Sequence, residues 1–130
     1  MELQIVVSPG ELIDRMTILD IKRSRIADAE RRRAVSEAFD ALSRTLSAHV
    51  PASPRLAALS RELKAVNEVL WRAEEDLRDH ERQQHFDARF VAIARSVYVS
   101  NDRRSELKKE INELLGSPLV DEKVYASRSV

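Results

Sequence analysis

Cysteine is absent from this 130-residue chain, and glycine occurs only twice. The first absence removes any disulfide framework, thiolate metal site or thiol nucleophile. The second leaves no material for a phosphate-cradling Gly-rich loop or for the frequent tight turns of a β architecture. Charge of one sign is also missing: Lys plus Arg and Asp plus Glu both number 22, so no overall field steers the chain toward nucleic acid or an anionic membrane. Charges interrupt every apolar stretch well short of the roughly 18 residues a membrane helix needs. Met1-Glu2-Leu3-Gln4-Ile5 carries no basic segment of the kind that opens a signal peptide. These absences set the expectation of a soluble cytoplasmic protein with neither a nucleic-acid nor a membrane partner.

What is present is 43% hydrophobic and 34% charged residues, over a length suited to one domain. The expected fold is all-α: one domain over 1–130, an antiparallel bundle of about four helices, with an extended arm at 1–7 and a docked tail at 117–130. Leu3, Ile5 and Val7 alternate with polar residues, the period of a short strand or extended arm. Ser8-Pro9-Gly10-Glu11 reads as a capping box with proline at the first helical position, which starts the first helix at Pro9. Leu12, Met16, Leu19 and Ile26 lie on one face, and Ile13, Ile18 and Ile21 widen it until it needs burial on more than one side.

A second segment, from Ala29 to Ala48, places Val35, Phe39, Leu42 and Leu46 on an otherwise polar helix and belongs on the outside. After the Val50 to Pro54 loop, Leu56, Leu59, Leu63, Val66, Leu70, Ala73 and Leu77 step by three and four as a heptad seam. The chain must reverse near Gln84. A fourth helix carries Phe86, Phe90, Ile93, Val97, Leu107, Ile111 and Leu114, with Gly116 as its C′ residue and Pro118 beyond.

Beside these seams runs a polar row. Asn67, Trp71, Glu74 and Arg78 follow at steps of four, three and four, one stripe over from the leucines. The fourth helix offers Ala94, Tyr98, Asn101, Ser105, Lys108 and Asn112, and its apolar seam is broken by Ser100-Asn101-Asp102-Arg103-Arg104. The first helix adds Arg15 and Lys22, with Asp14 and Thr17 nearby. Two readings stand. In one, these groups form buried ion pairs and amide hydrogen bonds that set helix register. In the other they form a ligand site: Arg15, Lys22, Arg95 or Lys108 holds an anionic group, Trp71 and Tyr98 provide flat walls, and Asn67, Glu74 and Asn101 bind hydroxyls, with Arg78, Asp102 and Arg104 beside them.

Other clusters point nowhere so specific. Arg31-Arg32-Arg33 lies among acidic residues on an outer helix and reads as a solvated face. His80 and His85, five apart, do not share a helical face and are expected to be exposed. Glu75 and Asp79 have i,i+4 geometry, yet the fourth helix answers them only with Asp102, so no metal and no cofactor is expected.

The stretch from Ser8 through Asp14-Arg15 to Lys22 resembles the opening of a family of short bacterial proteins known only as a domain of unknown function. The likeness continues through Val66-Asn67, Leu70-Trp71 and Glu74, then Ala94 to Tyr98, Asn101-Asp102, Arg104, Lys108, Ile111-Asn112, Gly116-Ser117 and Glu122 to Tyr125. Glu75 departs from it, standing where an Asp is expected, and the Arg31 to His49 segment looks generic. The resemblance implies an association with bacterial cell-surface polysaccharide biosynthesis and with glycosyltransferase or tetratricopeptide partner proteins.

The leading expectation is a non-catalytic binding or accessory domain for an anionic sugar-type small molecule or a partner segment. One rival is a helical-bundle enzyme of the chorismate-mutase type, in which Arg and Lys clamp a dicarboxylate. Another is a structural module, a homodimer paired through the third helix's heptad seam.

Overall fold

Four side-chain caps start four helices: Ser8, Asp28, Ser53 and Asp87 each accept a hydrogen bond from the backbone N–H three residues on. Such caps contribute about 1 kcal/mol each by satisfying amides that have no intrahelical partner. The helices are α1 (Pro9–Arg25), α2 (Ala29–His49), α3 (Pro54–Gln83) and α4 (Ala88–Leu114), with Pro9 and Pro54 opening α1 and α3. The computed structural model describes residues 1–119, and among these no strand forms: residues 1–6 take no regular secondary structure and are exposed. Docking of the 117–130 tail falls largely on residues outside the described ones.

Both long helices stop the same way. At the end of α4, Ser117 N–H donates to Asn112 C=O and Gly116 N–H to Glu113 C=O, with Gly116 at φ 63°. At the end of α3, His85 N–H donates to His80 C=O and Gln84 N–H to Glu81 C=O, and Gln84 takes the left-handed conformation that Gly116 takes in α4. These paired bonds satisfy carbonyls the helix leaves open. The reversal at Gln84 makes α3 and α4 an antiparallel hairpin. His80 is not exposed as its position suggests: its ring Nδ1 lies 2.7 Å from His85 O and its ring packs on Phe90.

α1 is the element that approaches all the others, whereas the backbone of α2 lies close to α1 alone, and α2 buries none of its residues although Leu46 packs against the core. Arg23 lies 3.9 Å over the Phe39 ring where these two helices meet. The core proper is Ile13, Leu56, Leu59, Leu63, Leu107 and Ile111, at the end of the bundle where α3 begins and α4 finishes. The leucine seam of α3 is therefore buried within the chain, and pairing of that seam between two chains is excluded over Leu56, Leu59 and Leu63.

Where α1 meets α4 the backbones nearly touch. A Cβ at Gly10 would sit 2.5 Å from the Lys108 carbonyl oxygen, and the Gly10 N–H donates 2.7 Å to Asn112 Oδ1. Glycine is required there by approach, since only a residue without a Cβ admits the neighbouring main chain.

Candidate functional site

The most buried stripe of α1 is polar in part. Gly10, Asp14, Thr17 and Ile21, at steps of four, three and four, are all buried. Asp14, 1% exposed, accepts from Arg104 through both oxygens, at 2.9 Å from Nε and 2.5 Å from Nη2. Asn67 Nδ2 donates to Asp14 Oδ1 and to Thr17 Oγ1 at 2.9 and 2.8 Å. The hydrogen bonds that Arg104 donates to Asp14 raise the pKa of its guanidinium against the opposing effect of burial. This network is why a polar run interrupts the α4 seam: Arg104 reaches across to the one carboxylate buried in α1.

One turn away, Lys108 Nζ lies 2.5 Å from Glu11 Oε2, and Arg15 donates to the other oxygen of the same carboxylate at 3.1 Å. The Lys108 hydrogen bond is the largest reason Glu11 sits below its ordinary pKa. Farther along, burial alone would raise the pKa of Asp20, but hydrogen bonds from Lys64 and Arg23 outweigh it and hold it down. The polar contacts of α1 with α4 thus come from Gly10, Glu11 and Asp14, and those with α3 from Asp14, Thr17, Asp20 and Arg25. α1 starts against α4 and finishes against α3.

That crossing leaves a groove of about 530 Å³ between α1, α3 and the middle of α4. Its apolar floor is Ile18, Ile21 and Leu70, and Trp71 forms a wall. Asn67 and Arg104 close the inner end, while Glu74, Glu75 and Arg78 stand along the rim. Arg25 lies over the Trp71 ring, 5.6 Å from its centre, and bonds Glu75 at 3.1 Å, so a cation sits on the indole beside the groove. Arg78 is loosely held: its side chain is 74% exposed and 3.6 Å from Glu74, beyond hydrogen-bonding distance.

Of the residues singled out in the sequence, Asn67, Trp71, Glu74, Arg78 and Arg104 come together here. The others do not line the groove. Arg15 and Lys108 are engaged with Glu11 at the far end of α1. Lys22 is half-buried on α1 outside the groove lining. Asn101 and Asp102 are half-buried on α4, and Asp102 has a partner within the chain. Arg95 and Tyr98 are exposed, so a second flat wall from Tyr98 is replaced by the apolar floor from α1. Asp14 was legible only as a neighbour of the row, although its place in the buried stripe between Gly10 and Thr17 is a helical-spacing signal. Arg25 and Glu75 had none, because they meet only through the crossing of α1 over α3.

Among the described residues no three or more His, Asp or Glu side chains cluster as a metal site, and no helix is long and apolar enough to cross a membrane. No protein-family model, no curated protein and no solved structure matches the chain.

Proposed function

We propose that this chain is a small helical binding domain whose Trp71 groove takes a sugar-type small molecule carrying an anionic substituent. The observation that carries this reading is the groove itself: the Trp71 side chain and an apolar floor, bordered by amide, carboxylate and guanidinium groups. Ligand sites commonly combine a largely apolar cleft of about 300–1,000 Å³ with a few polar groups that fix orientation. A pyranose ring laid on Trp71 would present its hydroxyls to Glu74 and Asn67. The loosely held Arg78 is the cation best able to swing to a carboxylate or phosphate, because it gives up little to do so. Arg104 uses Nε and Nη2 on Asp14 and keeps further N–H groups toward the inner end.

A setting in cytoplasmic steps of cell-surface polysaccharide biosynthesis, beside a glycosyltransferase or tetratricopeptide partner, rests on the resemblance of the Ser8 to Lys22 opening and the motifs that follow it. No observation favours the mutase reading. The cations a dicarboxylate clamp would need are shared among carboxylates, Arg104 with Asp14 and both Arg15 and Lys108 with Glu11.

Trp71 is the only tryptophan in the chain, so its emission reports on the groove alone. Titration with uronic-acid and phosphorylated sugars to about 10 mM is expected to shift that emission and to saturate for at least one compound, with weakening of about tenfold in Arg78→Ala. Absence of any saturable change across the panel would refute a sugar site.

A further inference from the structure

α4 is the least one-sided of the four helices, because it carries apolar residues on two opposite faces. Its inner seam, Phe90, Ile93, Val97, Leu107 and Ile111, packs within the bundle. Half a turn away lie Val91, Arg95, Tyr98 and Asp102, at steps of four, three and four, with Val99 alongside. Val91 is half exposed, and Tyr98 and Val99 are each 71% exposed. Such a stripe of helical spacing, with Tyr98 and Val99 flanked by Arg95 on one side and Asp102 on the other, has the form of a coiled-coil contact.

The charges say what covers it. Arg95 and Asp102 stand at equal distances on either side of the Tyr98–Val99 peptide. If two copies of α4 lie antiparallel about a two-fold axis there, Tyr98 of each meets Val99 of the other and Arg95 of each meets Asp102 of the other. The stripe is therefore complementary to itself, the requirement of a two-fold interface. With a net charge of zero, the two copies have no overall repulsion to overcome. Asp102 keeps its contact within its own chain, and a carboxylate has acceptor sites for an added guanidinium.

We infer that the outer face of α4 pairs with a second copy of this chain, in an antiparallel, two-fold dimer centred on Tyr98 and Val99. Tyr98 and Val99 of each copy with two ion pairs, Val91 lying opposite Glu106 in this register, fall short of the roughly 800 Å² per partner of a standard interface, so the dimer is weak and depends on concentration. It leaves the Trp71 groove open and does not depend on what that groove binds.

Sedimentation of the full chain from about 10 µM to about 1 mM is expected to show the average mass rising from 14.9 kDa toward twice that value. Tyr98→Lys is expected to weaken association at least about tenfold. Arg95→Asp alone places like charges opposite each other, as does Asp102→Arg alone, so each stays monomeric. Mixing the two variants restores both ion pairs and brings the heavier species back. A wild-type mass fixed at 14.9 kDa throughout the series overturns the inference and assigns the stripe to a different protein. A dimer indifferent to Tyr98→Lys overturns it too, as does a mixture of normally helical variants that stays monomeric. Should Asp102→Arg lose its helical circular-dichroism spectrum, Tyr98→Lys and Arg95→Asp carry the test, and both must weaken association at least about tenfold.

Discussion

Replacing Gly10 by alanine opposes two effects whose sizes the structure sets. Helix propensity favours alanine by up to about 1 kcal/mol, less in a first turn than in a helix interior. Against it, the new methyl group would lie 2.5 Å from the Lys108 carbonyl oxygen and 2.9 Å from Asn112 Oδ1. The Lys108 oxygen belongs to the main chain and cannot swing aside, so α1 and α4 must part by close to ~1 Å to restore ordinary contact. Parting stretches the 2.7 Å bond from Gly10 N–H to Asn112 and loosens Ile13 against Leu107 and Ile111. Overpacking of this kind costs about 1–3 kcal/mol and a weakened buried hydrogen bond about 1 kcal/mol more, which outweighs the propensity gain. A net loss of about 1–3 kcal/mol follows, a fall of roughly 4–12 °C in Tm for a domain of this size. Urea and thermal denaturation followed by circular dichroism measure it. Gly116→Ala is the matched control, since nothing lies within 4 Å of its added Cβ and only its φ of +63° resists, at about 1 kcal/mol. A Gly10→Ala protein as stable as the parent would show that α1 and α4 do not cross this closely.

Asp14→Ala strands the Arg104 guanidinium, leaves the Asn67 amide only Thr17, and is expected to cost about 3 kcal/mol in urea denaturation, whereas Asp14→Leu with Arg104→Met recovers most of that. A double variant no better than Asp14→Ala would count against the network. Gln84→Gly relieves a left-handed non-glycine residue at the end of α3 and should stabilise by about 1 kcal/mol, read as a rise in Tm; a fall would mean that the side-chain bond from Gln84 to Glu81 outweighs the strain. Lys108 is the main reason the Glu11 carboxyl titrates below its ordinary 4.5, so as pH falls the unfolded chain takes up that proton first. The stability contributed by the pair is complete above roughly pH 5.5 and is lost as pH drops through the folded value. Lys108→Met removes the larger part of that dependence and leaves the part owed to Arg15. Its stability gap to the parent should close at low pH, and a gap that stays constant would refute the linkage.

The helices themselves could be read from the chain because what starts and stops them is local. Ser8 with Pro9 and Ser53 with Pro54 lie within four residues of the amides they serve, and Gly116 sits next to the carbonyls it helps to satisfy. The α3 seam was legible for the same reason: Leu56, Leu59 and Leu63 repeat with the helix's own period, so the buried face follows from spacing. The outer position of α2 followed from how little of it is apolar.

What no spacing could supply is the path of α1 across the hairpin. Asn67, Trp71, Glu74 and Arg78 share a helix face by periodicity, yet whether that face is sealed, open or paired depends on which residues of α1 arrive opposite it. Asp14 seals one end by taking Arg104 and Asn67. Ile18 and Ile21 floor the middle, and Arg25 holds Trp71 from above. Tyr98, on the same polar row of α4 as Lys108, and Arg95 beside that row are left outside because α1 has already crossed to α3 at their level. Helical periodicity is a property of the backbone and is fixed residue by residue. The meeting of Asp14 with Arg104, ninety positions apart, is decided by the angle at which two helices pack, and the near-contact at Gly10 sets where that crossing begins.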